Sequence, residues 1–497
     1  MINRIRHIVL GFSVTFACAL ILHSTERPNI LIFLIDDMGL MDTSVPFLKE
    51  DGASKAYPLN ERYRTPAMEQ LAKQGLRFER YYANSVCSPS RVSLITGQNS
   101  ARHRTTQWIN PYARNADRYA PTGWNWLGLR ENSVTLPSLL SNAGYHTIHV
   151  GKAHWGPLDH DGSDPLHIGF DRNVAGGAWG RPGSYYGAQN FTNAQQLRQP
   201  PHLEAYHGED IHLTEALTNE MLKELDSAHA TGKPIFAHMA FYAVHSPFEA
   251  DPQFLANYPS DQPGREFAAM IEGMDHAVGL ILTHLEMLGI AENTLVFFLG
   301  DNGSDYSSKP LRGKKAERFE GGTRVPFIVS WAKPSDSEIQ SRWPIQAGTH
   351  HTESFGTILD LMPTILNLTE TKAPEGYILD GYDLRAVQAE AKSVRCDTSG
   401  DPYMWGMYGT VFKLSKSNGN TSISRNHVTQ PNSFNSTEEN DITLKTGVFC
   451  AFGYQDGKPT HTASTLALTG ACNFYTQLTT NNDTSAARGI VGTVESG

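Results

Sequence analysis

The sequence predicts an α/β fold: a large mixed, mostly parallel sheet flanked by helices, with a smaller C-terminal α+β subdomain. Three observations carry this. Continuous β-rich apolar runs, such as residues 29–35 and 294–299, read as strands buried on both faces, as in a parallel sheet. Amphipathic helical stretches lie between such runs. The clearest is 265–288, with Phe267, Met270, Ile271, Met274, Val278, Ile281, Leu282 and Leu285 at helical spacing. From about residue 390 the composition shifts towards Ser, Thr, Asn and Gly, and short β-like runs (409–414, 447–452) point to a small separate sheet. A chain of 497 residues, 40% hydrophobic and 19% charged, can bury a large core. It divides into a leader (1–24), a main domain (25–390) and a small C-terminal subdomain (391–497).

Residues 1–23 read as a targeting segment. Arg4, Arg6 and His7 give a positive start, and 8–22 is an apolar run too short to favour a spanning helix. Ala17-Cys18-Ala19 offers small residues at a cleavage spacing. The expectation is a cleaved signal peptide and a periplasmic or secreted protein with no stable membrane span. A net charge of −10 argues against nucleic acid or an anionic membrane surface as a partner. An anionic substrate then needs a locally positive pocket. Of five cysteines, Cys18 falls in the leader, and Cys396, Cys450 and Cys472 allow one disulfide whose pairing stays open.

In chain order, the first strand ends in Asp36-Asp37, two carboxylates where α/β sheets bind ligands. Taken alone, such a pair also caps turns. Thr65-Pro66 opens a helix reaching Gln74 and closed by Gly75, and 76–82 reads as a strand. Residues 98–133 are loop-rich, with Arg102, His103, Arg104, Trp108, Trp124 and Trp126. Tryptophans with arginines suit a sugar-binding rim, or surface loops packed on themselves. A helix over 136–143 and a strand over 147–150 lead to Lys152 and His154, which alternate on an extended segment and so face one way. Residues 172–210 hold Trp179, Arg181, Tyr185 and Tyr186 as substrate-loop candidates. A helix over 211–229 and a strand over 234–243 place His245 at a strand end before Pro247, which holds the backbone extended. The strand at 294–299 ends in Asp301-Asn302. Together Asp36, Asp37, Asp301 and Asn302 form an all-oxygen set suited to calcium or magnesium, and the histidines are too dispersed to insist on zinc. A strand over 325–331 and a helix over 354–368 follow.

Residues 87–97 read Cys-Ser-Pro-Ser-Arg-Val-Ser-Leu-Ile-Thr-Gly. Ser88 is a candidate N-cap, Pro89 suits the first helical position, and Gly97 ends the helix. Cys87 would then sit just before a helix N-terminus, where the dipole favours an anion, with Arg91 about one turn on. The pattern Cys-x-Pro-Ser-Arg-x-x-Leu-x-Thr-Gly resembles the sulfatase family, formylglycine-dependent enzymes of the alkaline phosphatase superfamily. Similar blocks are Gly151-Lys152-Ala153-His154-Trp155-Gly156, residues 165–171, His245-Ser246-Pro247, Glu320-Gly321-Gly322-Thr323-Arg324-Val325-Pro326 and Asp360-Leu361-Met362-Pro363-Thr364. The resemblance spans roughly 28–385 in ordered blocks and implies an alkaline-phosphatase-like fold. Counting back five from Glu320 puts the family's lysine at Lys315. Lys314 stands where the family usually has glycine, which leaves the register between the two lysines open.

The resemblance also implies the chemistry: a sulfuric ester hydrolase. Cys87 would be oxidised after translation to formylglycine, by a formylglycine-generating or anaerobic maturase enzyme. Ca2+, or Mg2+, would sit on Asp36, Asp37, Asp301, Asn302 and the hydrate oxygen made from Cys87. Arg91, Lys152 and Lys315 would add positive charge where it develops in transfer. His245 and Lys315 would contact the leaving ester oxygen, with His245 the better proton donor near neutral pH, and His154 would take the second gem-diol proton. Export and the tryptophan-rich loops point to a sulfated carbohydrate or polysaccharide fragment. Competing readings are small aryl sulfates, phosphonate or phosphate monoesters, and a catalytically dead carbohydrate-binding relative. The last is weakened by the presence of every catalytic residue type.

Overall fold

The computed structural model describes residues 27–114, 125–352 and 355–389, and beyond these only the backbone of short strands between 403 and 494. The leader, Trp124, Cys18, Cys396, Cys450, Cys472 and the run at 447–452 therefore lie outside the described residues, or outside those whose side chains are described.

An eight-stranded sheet organises the chain. Its strands are β1 (Asn29–Ile35), β2 (Leu76–Phe78), β3 (His146–Gly151), β4 (Arg172–Val174), β5 (Ile235–Phe241), β6 (Thr294–Gly300), β7 (Phe327–Trp331) and β8 (Thr349–His351). Their spatial order is β8-β2-β7-β6-β1-β5-β3-β4. The pairs β6–β1, β1–β5, β5–β3 and β3–β4 are parallel, and β7 alone runs against its neighbours β6 and β2. The apolar strand sequences follow from this. Every residue of β1, β5 and β6 is buried, because both faces are covered.

The side-chain alternation of β1 separates two cores. Leu31, Phe33 and Ile35 join the first, under helices α1 (Pro66–Gln74), α4 (Leu213–His229) and α5 (Arg265–Met287). Ile30, Ile32 and Leu34 join the second, under α2 (Cys87–Thr96), α3 (Leu136–Asn142) and α6 (Leu361–Leu368). The predicted amphipathic stretch at 265–288 is α5, and its apolar positions Phe267, Met270, Ile271, Met274, Val278, Ile281 and Leu285 are buried. Asp275 of the same helix accepts the Ala67 and Met68 amides at 2.8 and 2.9 Å. It thus caps α1, whose own N-cap residue Thr65 makes no side-chain cap bond.

Three local expectations are corrected. The strand expected over 76–82 is broken, and Tyr81–Tyr82 leaves the main sheet to pair with Gly356–Thr357. The helix expected over 354–368 begins only at Leu361. Its first part is that short pairing and a 3-10 turn over Ile358–Asp360. The Asp360 carboxylate accepts the Thr357 amide at 2.6 Å and the Tyr382 amide at 2.8 Å, which holds the chain out of the helix. The third correction concerns α2. It starts at Cys87, after Val86 in an extended conformation and without a side-chain cap. Ser88 therefore lies inside the helix rather than at its cap, and its hydroxyl accepts the Ile109 amide at 2.9 Å. Gly97 does end the helix, in the left-handed conformation.

In the C-terminal region the backbone of Thr410–Ser417 pairs antiparallel with Asn420–His427, inside a four-stranded sheet.

Candidate active site

Four neighbouring parallel strands deliver the polar residues. β6 ends before Asp301 and Asn302, β1 before Asp36 and Asp37, β5 a short turn before His245, and β3 before Lys152 and His154. α2 adds Cys87 and Arg91 from its buried first two turns. Lys315 arrives on the loop ahead of the Glu-Gly-Gly block. Gly322 lets that loop fold back, since a Cβ there would lie 2.0 Å from the Glu317 carbonyl oxygen. Glu320 and Arg324 pair at 2.9 Å across one helical turn and brace the block.

The charges are paired in detail. Lys152 Nζ donates to both Asp36 oxygens at 2.8 and 2.6 Å. Arg91 Nε donates to Asp301 Oδ2 at 2.8 Å, and its Nη1 donates to the Lys152 carbonyl at 2.7 Å. Lys315 Nζ donates to Asp37 Oδ2 at 2.5 Å, which settles the inward lysine geometrically, while Lys314 lines the outer cavity. Asp36, Asp37 and Asp301 are fully buried, and each offers an oxygen within 4.8 Å of the others. Burial opposes ionisation of Asp37, but His245, Lys315 and Lys152 hold its carboxyl below the usual range. At Asp36 burial wins and pushes the carboxyl up, against the pull of Lys152.

This cluster fits a hard cation. Asn302 Nδ2 donates to Asp37 Oδ1 at 2.8 Å and to the Gly303 carbonyl at 3.0 Å, which leaves its buried Oδ1 with no partner. An amide oxygen with no partner among the described residues, beside three carboxylates, is an all-oxygen donor set. Cys87 Sγ stands outside that 4.8 Å group and meets His154 instead.

The contact between Cys87 and His154 has a defined polarity. His154 Nε2 lies 2.7 Å from the Ile109 carbonyl, which can only accept, so Nε2 carries the proton. Burial, with Lys152, holds this imidazole neutral well below its ordinary value. Nδ1 is therefore a bare acceptor, 3.3 Å from Cys87 Sγ. Gly180 supports the ring, since a Cβ there would sit 2.5 Å from His154 Cε1. Burial pushes the Cys87 thiol up despite Lys152, so as encoded it is a neutral thiol and a poor nucleophile.

His245 faces the same carboxylate as Lys315, with Nε2 3.6 Å from Asp37 Oδ2. Its Nδ1 donates to the Ser246 carbonyl at 2.8 Å. Burial pushes it down to about 4, with Asp37 pulling the other way. The expected proton donor near neutral pH is thus a neutral imidazole here, because burial outweighs its carboxylate partner. Burial opposes the Lys315 charge too, yet Asp37 and Asp36 raise its pKa.

A cavity of about 650 Å3 opens outward from Cys87, His154, His245 and Lys315. Trp108, Tyr112 and Trp179 line it, and Tyr112 and Trp179 meet edge to face at 5.9 Å. Arg181 also lines it, as expected of a substrate loop. Arg198 and Asp305 line it as well and were missed, because they sit in loops without periodicity or motif. Other expectations fail here. Tyr185 is buried and donates to the Tyr242 and His245 carbonyls at 2.6 and 2.9 Å, so it fixes the His245 turn. Tyr186 donates to the Ala250 carbonyl. Of the two readings open for the 98–133 loops, Arg102 follows the self-packed one and pairs with Asp380 at 2.6 Å. Each is occupied structurally and none lines the cavity.

Comparison with known proteins adds to this geometry. The sulfatase family profile matches residues 28–371. A mouse N-acetylgalactosamine-6-sulfatase is 34% identical over 384 residues, covering 72% of this chain and 66% of that protein. Mouse arylsulfatase J is 28% identical over 385 residues, covering 75% of this chain and 58% of that protein. The chain thus spans about two thirds or less of these relatives' lengths. Among solved structures, Ps i-CgsB in complex with k-i-k-neocarrahexaose superposes with a TM-score of 0.58 at 23% identity, over 81% of this chain and 86% of that one. That likeness shows the fold. Among the described residues, no helix is long and apolar enough to cross a membrane.

Proposed function

The chain belongs to the sulfatase family, and from that premise we infer that it hydrolyses sulfate esters carried on carbohydrate. The observation that carries the reading is the bare Nδ1 of His154, 3.3 Å from Cys87 Sγ, with the three-carboxylate cluster close by. Asp36, Asp37, Asp301 and Asn302 would hold calcium or magnesium, which would supply Lewis-acid charge, and Cys87, converted by a maturase to formylglycine, would supply the attacking oxygen.

The chain's own residues do the rest. Arg91, Lys152 and Lys315 hold positive charge around the position where the sulfate group transfers, already fixed by their carboxylate partners, so little reorganisation is needed. His154 Nδ1 accepts a proton at the position of the Cys87 side chain, and the Ile109 carbonyl keeps it in the accepting tautomer. His245 and Lys315 line the cavity beside Cys87, and the Lys315 ammonium, kept charged by Asp37 and Asp36, serves as the proton donor to the leaving oxygen. Trp108, Tyr112 and Trp179 offer aromatic faces to a sugar ring. We place this chemistry in residues 25–390, ahead of a small subdomain over 391–497 and behind a 1–24 leader that exports the protein to the periplasm or beyond.

The test is free-sulfate release from a panel of defined sulfated oligosaccharides and an aryl sulfate, by protein co-produced with a formylglycine-generating enzyme. Sulfate release from at least one oligosaccharide is expected, falling by about 10³-fold or more in Cys87→Ala. Reaction of the aryl sulfate alone would reject the carbohydrate substrate. Unchanged release in Cys87→Ala would reject the mechanism.

A further inference from the structure

The cavity wall carries positive charge that its own carboxylates do not neutralise. Arg181, Arg198 and Lys314 all line it beyond the buried centre. Among the described residues, none of the three lies within 4.0 Å of a carboxylate. Among the described residues, Asp305 is the one acidic residue lining the cavity; its 3.8 Å partner is Lys315, with Lys314 acting on it from farther away, so a single carboxylate faces four cations. This contrasts with the centre, where Arg91, Lys152 and Lys315 each meet a buried aspartate.

Arg181 is held in place by its neighbours. It follows Gly180, whose backbone lies against the His154 ring. Its Nη1 donates to Ser246 Oγ at 3.3 Å, and Ser246 adjoins His245. The guanidinium is thus tied to both sides of the reaction centre without touching its charges. Burial and the repulsion of Arg198 both act against its charge. Two cations held near one another in a partly buried wall cost stability, and a shared anion between them reverses the sign. Guanidinium suits planar, bidentate binding of sulfate or carboxylate. In a chain of net charge −10, such a local excess is a feature of the site rather than of the surface.

We propose that Arg181, Arg198 and Lys314 form a second anion subsite beside the position of the scissile sulfate, one that takes another sulfate, or a carboxylate, on the same or the adjoining sugar. This rests on the sulfate-ester reading above and narrows it: the preferred substrate carries two anionic groups, of which one is cleaved and one is held. The ammonium of Lys314 adds charge at the mouth, where it draws polyanions in. The affinity it supplies falls as salt rises, because the mouth is open to solvent.

Three probes test this with mature enzyme: a monosulfated hexosamine, the same sugar carrying two sulfates, and the monosulfated hexosamine joined to a uronic acid. At least one dianionic probe should have a kcat/KM tenfold or more above the monosulfated sugar, and which one wins identifies the second anion. In Arg181→Gln/Arg198→Gln that preference should fall by about tenfold or more, through the KM of the dianionic probe. Arg181→Lys should keep part of the preference. Calorimetric binding of the winning probe to Cys87→Ala should weaken tenfold or more when the two arginines are also replaced, and a shared melting temperature would show that these variants fold. Equal kcat/KM for all three probes, or a preference that survives the double substitution, would overturn the subsite and leave sulfate hydrolysis standing. Sulfate release from none of the probes or oligosaccharides would overturn the hydrolase reading and the subsite with it.

Discussion

The buried centre and the cavity wall around it are built by opposite means. At the centre, Asp36, Asp37, Asp301, Lys152 and Arg91 emerge from strand ends and a helix start and are fully buried, and each carboxylate meets a cation: Asp36 meets Lys152, Asp37 meets Lys315 and Asp301 meets Arg91. On the wall, Trp108 is 44% exposed, Tyr112 is 48% exposed, and Arg181 and Arg198 come from loops and meet no carboxylate among the described residues. The difference teaches where each task sits. A rigid sheet fixes the reacting groups to within a bond length, and variable loops choose what is brought to them.

The largest effect should come from breaking the centre. Asp301 both belongs to the oxygen cluster and holds Arg91 at 2.8 Å, so Asp301→Asn removes charge from two functions at once. Sulfate release should fall by about 10²- to 10³-fold. Treatment with a chelator should mimic the loss in mature enzyme that keeps Asp301, with recovery on adding calcium or magnesium. Activity that survives both treatments would remove the cation from the account.

The wall should respond more gently. Trp179 packs edge to face on Tyr112 at the cavity mouth. Trp179→Ala should raise KM for an oligosaccharide by about three- to tenfold and leave kcat within threefold. A fall in kcat as large as that of Asp301→Asn would mean that the two regions are not separable.

How far the sequence reaches follows the same division. The polar strand ends Asp36-Asp37 and Asp301-Asn302 and the Lys-x-His segment were legible because a buried parallel strand writes itself as an apolar run and its polar end is abrupt, whereas the cysteine block, at a helix start, was legible through its resemblance to the sulfatase family. Lys315 was legible only to within one position. The distance to Asp37, not the spacing, separates it from Lys314. Tyr185 and Tyr186 misled because an aromatic in a Gly-rich loop reads alike whether it meets substrate or, as here, ties down carbonyls. The Ile109 carbonyl that sets the His154 tautomer left no trace, since any residue supplies a carbonyl. The late start of α6 was hidden for a similar reason. Asp360 competes for backbone amides through contacts to Thr357 and Tyr382 that helical periodicity does not register.

Acid should also act beneath the centre. His149 on β3 and His238 on β5 meet through their Nδ1 atoms at 3.0 Å, both with no exposed surface. Burial holds His149 down to about 3 and drives His238 well below its ordinary value. Both are neutral in the fold, whereas the unfolded chain protonates them below about 6.5. Their contribution to stability is therefore complete above pH 6.5 and lost on acidification, by up to about 1.4 kcal/mol per pH unit for each group. The urea midpoint should fall steadily from pH 6.5 to 5, and His149→Gln should flatten that slope. A midpoint independent of pH over this window would show that the pair is not buried as described.

The smallest effect should come from a site in neither region. Asp275→Ala uncaps α1 and should lower the melting temperature by a few degrees, for about 1–3 kcal/mol lost, with kcat/KM within twofold. A larger kinetic effect would couple the distant helix layer to the centre.

The most direct measurement is the chemical state of residue 87 in enzyme that is turning over. Peptide mass spectrometry of preparations with graded activity, produced with and without the maturase, should find an aldehyde at position 87 in proportion to sulfate released. Full activity from protein in which that position is uniformly an unmodified thiol would contradict the account.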